Sequence, residues 1–551
     1  MSAAAPSAQP KDARVLRRAL RACAHGDPDK AERLCHELLQ EQPDNFDVLH
    51  CLGQINYRRG RLDAALALLQ AALKSDLGRA EGFASLGLVF HALAQRERAL
   101  ISYEEGLRIE PDNAELLNRR GVALLELGRM HEALENFERA LAVEATHFEA
   151  LGNFGNAMLK LNRPQQALAA YDRALKIAPE NAQLLTNRAV ALRRLDRPHE
   201  AAMSAARALR ARPDFAEARF VESVARLTLG DFSSGWRGYE ARWAIQSLAP
   251  ARRKFAAPQW RGREPLDGKS ILLHAEQGFG DTIQFVRYAP LVAARGGKVI
   301  LEVQPTLARL CARVAGVASV VARGDELPHF DFHCPLLSLP LAFATGMTTI
   351  PADIPYLSAD SKEIAAWQPR LPQQRPRVGL VWSGARGHDN DLNRSMPLAA
   401  LTPLFELADI AFVSLQHDVR EEDAAVLRSR PDVLQVGPAL RDFAETAAAI
   451  ASLDLVIAVD TAVAHLTGAM GKPLFLLLPY AADFRWLRER ADSPWYPTAR
   501  LFRQAAFGEW DSVVAVLRAE LTRSLTGAVP FGAAVDDGTQ CRPSQMLHRT
   551  G

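Results

Sequence analysis

The chain has no excess of either charge, no paired-cysteine motif and no long apolar run, and each absence removes a class of function. Its 66 Lys and Arg nearly balance 64 Asp and Glu, for a formal charge of +2, so charge alone implies no polyanion partner and no nucleic acid. The basic clusters Arg17-Arg18, Arg193-Arg194 and Arg252-Arg253-Lys254 are scattered and read as solvated faces. Cys23, Cys35, Cys51, Cys311, Cys334 and Cys541 form no CxxC pair and have no His at metal-ligand spacing. They read as reduced, structural thiols of a cytosolic protein. Met1 to Pro10 lacks a basic stretch followed by an apolar one, so no signal peptide is expected. The longest apolar stretches, such as Leu474 to Leu478, are too short for a transmembrane segment. A cytoplasmic protein is expected, with peripheral membrane association left open. Two near-motifs also fail. Gly262 to Ser270 imitates a Walker A loop but has five intervening residues before Gly268 and precedes a strand pattern, and Gly278-x-Gly280 lacks the third glycine of a dinucleotide fingerprint. Neither an ATPase nor an NAD enzyme is supported.

What the sequence has is a 34-residue grid. Ala31, Ala65, Ala99, Ala133, Ala167, Ala201 and Gly235 follow one another at that spacing, as do Gly53, Gly87, Gly121, Gly155 and Ala189. A large-residue column runs through Leu69, Tyr103, Phe137 and Tyr171 and ends, after Ala205, at Tyr239. Small residues recur where two helices approach closely, and large ones where the next repeat must be filled. Pro43, Pro111, Pro179 and Pro213 mark the junctions where a helix ends. That is the signature of a tetratricopeptide array, about six to seven helix pairs in a solenoid. It implies a binding surface. The last repeat, with Trp236, Tyr239 and Trp243, is degenerate, and its extra aromatics suit a cap that docks on something else.

After Lys269 the period changes to strands. Ser270–Ala275, Lys298–Val303, Val317–Val321 and Asp331–Cys334 form one series. Val378–Trp382, Ala411–Leu415, Val433–Val436, Leu455–Val459 and Leu474–Leu478 form another, with a Pro-rich passage between the two. Strand–helix alternation predicts parallel sheets with right-handed crossovers. The expected organisation is a disordered start at 1–10, a solenoid over 11–245 and a connector over 246–268. Two Rossmann-like halves over 269–365 and 376–525 then face a cleft, before a disordered tail at 526–551.

Parallel sheets place ligands at the carboxyl ends of their strands, so the loops there are the candidate sites. In Gln277-Gly278-Phe279-Gly280-Asp281-Thr282 the glycines permit a sharp turn into a helix whose N-terminus suits an anion. Asp281 either takes a proton from an acceptor hydroxyl or caps that helix, with Gln284 completing a capping-box pattern. In Trp382-Ser383-Gly384-Ala385-Arg386-Gly387 and on to Asn393-Arg394-Ser395, Arg394 could grip a phosphate bidentately. The Asp389-Asn390-Asp391 triplet reads as solvated turn residues in preference to a metal site. Asp460-Thr461-Ala462 opens a further helix, capped by Asp460 or Thr461, with His465 one turn on, on the same face. The Asp483-Phe484-Arg485-Trp486 segment could line a base or sugar pocket, or simply be an aromatic packing cluster.

At these residues, over roughly 270–520, the chain resembles the heptosyltransferase-like glycosyltransferases of family 9, which have the two-Rossmann GT-B fold. The resemblance rests on the Gly280-Asp281 loop and the Asp460-Thr461-Ala462-x-x-His465 helix start, with Ala462 where that family commonly has Gly. It implies that Asp281 is the catalytic base and that Asp460, Thr461 and His465 bind the donor diphosphate. Donor contacts are also expected from Gly278, Gly280, Ser383, Gly384, Arg394, Ser395 and Ala462. A tetratricopeptide array joined to such a module is similar in architecture to protein O-linked N-acetylglucosamine transferases. The expected function is therefore an inverting, metal-independent transferase with a nucleotide-diphosphate sugar as substrate and no cofactor. Its acceptor, a protein or a glycan, would be recruited by the array. Two alternatives stand beside it: a protein-interaction scaffold whose transferase module is degenerate, and a heptosyltransferase proper whose activity survives deletion of residues 1–245.

Overall fold

The structure is a computed structural model and describes residues 14–15, 17–19, 21–22, 27–246, 248, 252–388 and 390–525. The expected loose start, the tail at 526–551, Cys23, Cys541 and Asp389 lie outside these residues. The chain divides into two compact units, Met1–Ala191 and Leu192–Gly551.

In the first unit helices of 13 and 14 residues alternate, from Pro28–Glu41 and Phe46–Arg58 to Pro164–Ile177. The grid explains the pairing. Ala31, Ala65, Ala99, Ala133 and Ala167 are fully buried, and the glycine column faces the large-residue column across each helix pair. A Cβ on Gly121 would stand 2.6 Å from the Phe137 ring, and one on Gly155 2.6 Å from the Tyr171 ring. Neither position has room for a side chain. Asn45 and Asn113, two grid periods apart, accept the N–H groups of Val48 and Leu116 and so start their helices.

The second unit begins with the last helices of the grid, Pro198–Ala211, Ala216–Thr228 and Phe232–Tyr239. The compact division therefore falls earlier than the end of the expected solenoid, because these helices share a core with the α/β region. Phe232, Trp236 and Tyr239 belong to the same buried cluster as Ile271, Phe285 and Trp495. Trp236 meets Phe285 and Phe484 edge-on, at 6.2 and 5.7 Å between ring centres. Arg242 is joined at 3.0 Å to Glu276, with both side chains 1% exposed. The expectation of a docking cap is met inside this unit.

Four parallel strands, β1 (Ser270–His274), β2 (Lys298–Val303), β3 (Val317–Ala322) and β4 (Phe332–Pro335), lie in the order β3-β2-β1-β4. A six-stranded parallel sheet follows: β5 (Arg377–Val381), β6 (Ala411–Ser414), β7 (Leu434–Gln435), β8 (Leu455–Val459), β9 (Leu474–Leu478) and β10 (Ala499–Arg503). Its order β7-β6-β5-β8-β9-β10 is that of a doubly wound α/β sheet, and the order reverses between β5 and β8. Both sheets are α/β, as expected. β5, β8 and β9 are buried along their whole length, which is why they read as unbroken apolar runs. The strand that sequence reading misses, β10, is Ala-Arg-Leu-Phe-Arg at the sheet edge; two arginines break its apolar run.

Candidate functional site

A cavity of about 710 Å³ opens where the carboxyl ends of the two sheets meet, at the point where the second sheet reverses its strand order. One wall comes from the loop after β1. Gly278, not Asp281, is the N-cap residue of helix Phe279–Phe285; Asp281 stands at the third helical position and accepts the Gly278 N–H at 2.9 Å. Gln284 takes no part in a capping box, because its side-chain oxygen accepts from Arg485 Nε at 2.6 Å. The second carboxylate oxygen of Asp281 is ion-paired with Arg485, which also holds Asp483 at 2.7 Å. Arg485 is buried, and a buried guanidinium is tolerated only with carboxylates around it. Arg485 thus ties the second sheet to the candidate base on the first.

The other wall starts from β8. Thr461 occupies the N-cap position of helix Ala462–Ala469, but its hydroxyl turns back to the Val459 carbonyl at 3.1 Å and makes no cap bond. The expected side-chain cap is therefore missing, and the first N–H groups of that helix face the cavity without one. The two helix starts touch: a Cβ on Gly280 would lie 2.8 Å from the His465 ring and 3.7 Å from Ala462 Cα. Only glycine permits this approach.

The loop after β5 supplies the cation. Arg394 donates to the Asp460 carbonyl at 3.1 Å, and its Nε is buried without a partner. Arg394 forms no ion pair with a carboxylate among the described residues. Gly384 lies against its guanidinium, where a Cβ would be 2.5 Å from Nη2. Ser383, 3% exposed, has an unpartnered hydroxyl. Ser395 is the exception to the expected set. It does not line the cavity, because its hydroxyl accepts from Gly384 N–H at 2.9 Å and donates to Asp391 at 2.6 Å. Asp391 pairs in turn with Arg420, so this carboxylate braces the loop. Gly278, Gly280, Asp281, Ser383, Gly384, Arg394, Asp460, Thr461, Ala462 and His465 all line the one cavity.

Burial, with Asp483 nearby, raises the Asp460 carboxyl above the ordinary aspartate range. Burial holds His465 far below the usual histidine range, so it is neutral. Its Nδ1 lies 2.9 Å from the Tyr496 hydroxyl and its ring stacks on Trp486 at 5.2 Å. Its Nε2 lies 3.7 Å from the Asp460 carboxylate, so His465 contributes packing and a neutral polar edge, not a positive charge.

Sequence profiles of the tetratricopeptide repeat match residues 22–86, 112–180 and 153–214. The N-terminal helices are tetratricopeptide repeats. The chain is 27% identical over 321 residues to Protein FlbA of Caulobacter vibrioides, a match covering 54% of this chain and 53% of that protein. It thus spans about half the length of this curated relative. A thermophilic tetratricopeptide-repeat protein of Thermus thermophilus is 26% identical, with TM-score 0.30, covering 33% of this chain and 98% of that one. PilF of Pseudomonas aeruginosa is 20% identical, with TM-score 0.34, covering 38% and 93%. Among the described residues no helix is long and apolar enough to cross a membrane, and no group of three His, Cys, Asp or Glu could hold a metal.

Sequence reading passes over Gln416, Thr306 and Thr446. Gln416 accepts the N–H groups of Trp382 and Ser383, both at 3.2 Å, and so fixes the loop that carries Ser383. The signal is present, since Gln416 sits just past the end of β6. For Arg485 the sequence leaves a choice between the pocket and packing; its pairing with Asp281 bridges 204 residues and leaves no local trace.

Proposed function

We propose that the α/β part of this chain is a glycosyltransferase of the GT-B type, similar to family 9, acting on an acceptor recruited by the tetratricopeptide repeats. The donor is a nucleotide-diphosphate sugar. The observation that carries the reading is the uncapped start of helix Ala462–Ala469 beside Arg394, a cation without a carboxylate partner, facing Asp281 within one cavity. As the glycosidic bond breaks, negative charge collects on the diphosphate. Helix N–H groups and Arg394 stabilise that charge. Asp281 accepts the acceptor proton from the opposite wall; each of its oxygens keeps a lone pair beyond the Gly278 and Arg485 contacts.

Calorimetry against a panel of nucleoside diphosphates tests the donor site. One member should bind, and Arg394→Ala should weaken it about 10- to 100-fold, since hydrogen bonds to charged groups are worth about 1.5–3 kcal/mol. No binding to any member would sink the reading. Transfer should also persist in chelator.

A pH dependence arises from Asp460. Below its raised pKa the carboxyl is neutral, and above it the charge repels a diphosphate. Donor binding should therefore weaken as pH rises through that value, measured with an intact nucleotide sugar, which gains no proton there. The same sign holds for stability: the fold retains a proton that the unfolded chain releases, so this group's contribution falls as pH rises.

A second reading, a repeat scaffold with an inactive module, is favoured by the Asp281–Arg485 ion pair and by Ala462. Binding of nucleotide without transfer to any acceptor would support it.

A further inference from the structure

The helical turn at 193–196 and the loop that presents Arg485 form a structural clasp. Asp196 accepts from Arg488 Nε with both carboxylate oxygens, at 3.0 and 3.1 Å. Arg193, one turn earlier, stands within electrostatic reach of Asp483. A single turn of the helical region thus engages residues on either side of Arg485. On either side of Arg488 the backbone takes left-handed φ values. Leu487 has φ 53° and ψ −159°, a region almost confined to glycine, and Glu489 has φ 53°. Such a backbone persists only while its surroundings over-determine it. From inside, Arg503 donates to the Trp486 and Arg490 carbonyls at 2.5 and 3.3 Å. From outside, Asp196 is the anchor.

We infer that Asp196 is a positioning residue: by holding Arg488 it keeps Leu487 in its strained conformation, which keeps Arg485 on Asp281 and Gln284. This rests on Asp281 being the acceptor base. Without the clasp Leu487 relaxes toward extended backbone, the chain just after Trp486 swings, and Arg485 withdraws. Asp281 then loses the partner that fixes one of its two oxygens, and the helix start that carries it loosens. Part of the helical region thereby sets the geometry of the candidate base without touching the cavity.

Hydrogen exchange on the full-length, ligand-free chain tests this, read over residues 278–285. Asp196→Ala should speed exchange there several-fold, and adding Leu487→Gly, which can adopt that backbone without strain, should bring it back toward wild type. Glu406→Ala, which removes the exposed Arg518 pair, should leave 278–285 unchanged. Acceleration confined to 195–197 and 484–490 would overturn the inference, as would a general loss of protection that Leu487→Gly does not reverse. Should Asp196→Ala not accumulate folded, Asp196→Asn, which keeps the volume and one acceptor oxygen, carries the same comparison. Because exchange is read without ligand, failure of nucleotide binding would count against the transferase alone.

Discussion

Asp281→Asn is expected to cut sugar transfer by about 10²- to 10⁴-fold, the usual contribution of a positioned general base, while nucleoside-diphosphate affinity stays near wild type. The separation comes from the two walls. In the proposed site the diphosphate would be held by the Thr461 helix start and Arg394, whereas Asp281 lines the same cavity from the loop after β1. Asn keeps an oxygen for the Gly278 N–H and nearly the same volume, so the helix start survives. Arg485 loses one carboxylate but retains Asp483 at 2.7 Å and Gln284 at 2.6 Å. A modest fall in thermal midpoint is expected with it. Initial rates and calorimetry on one preparation separate the outcomes. Full activity would remove Asp281 from the mechanism, and lost nucleotide binding would mean that it shapes the cavity instead.

The second large effect concerns where the chain can be cut. A chain starting at residue 246 should not fold, whereas one starting at residue 192 should. Phe232 and Trp236 are each 2% exposed and Tyr239 4%, packed in one core with β1 and with residues around Phe484. Truncating a buried Phe or Trp costs about 3–5 kcal/mol, and a domain has only about 5–15 kcal/mol in all. Deleting Arg242 also leaves the Glu276 carboxyl buried without its guanidinium; burial already pushes its pKa up to about 7, so it takes up a proton, at a further cost of up to about 3 kcal/mol. Glu276 lies two residues before Gly278, so this pair also anchors the loop that carries Asp281. Chemical denaturation of the two shortened chains decides it; a cooperative transition in the shorter one would overturn the argument. For the same reason, activity after deletion of residues 1–245 is not a usable test of a heptosyltransferase proper, because that cut removes core.

The repeats are legible because a solenoid writes each contact locally. Gly121 and Phe137, sixteen residues apart, meet within one helix pair, and the next pair repeats the arrangement. Strands are legible where both faces are buried, as at Leu455–Val459 and Leu474–Leu478, and illegible at β10. Most of the cavity lining is legible because a parallel sheet delivers its loops to one edge. Ser395 is misplaced by sequence reading because a hydroxyl can serve a ligand or its own loop, and only the position of Asp391 settles which.

By itself the sequence determined the helix pairs, the two α/β series and the loops at their strand ends, all of which come from periodicity over short stretches of chain. The tertiary structure alone decided that Arg485 meets Asp281, that Thr461 turns its hydroxyl away from its helix, and that the final helices belong to the core of the α/β part. Those outcomes depend on packing between segments far apart in the chain, where burial forces charges to find partners that no local spacing encodes.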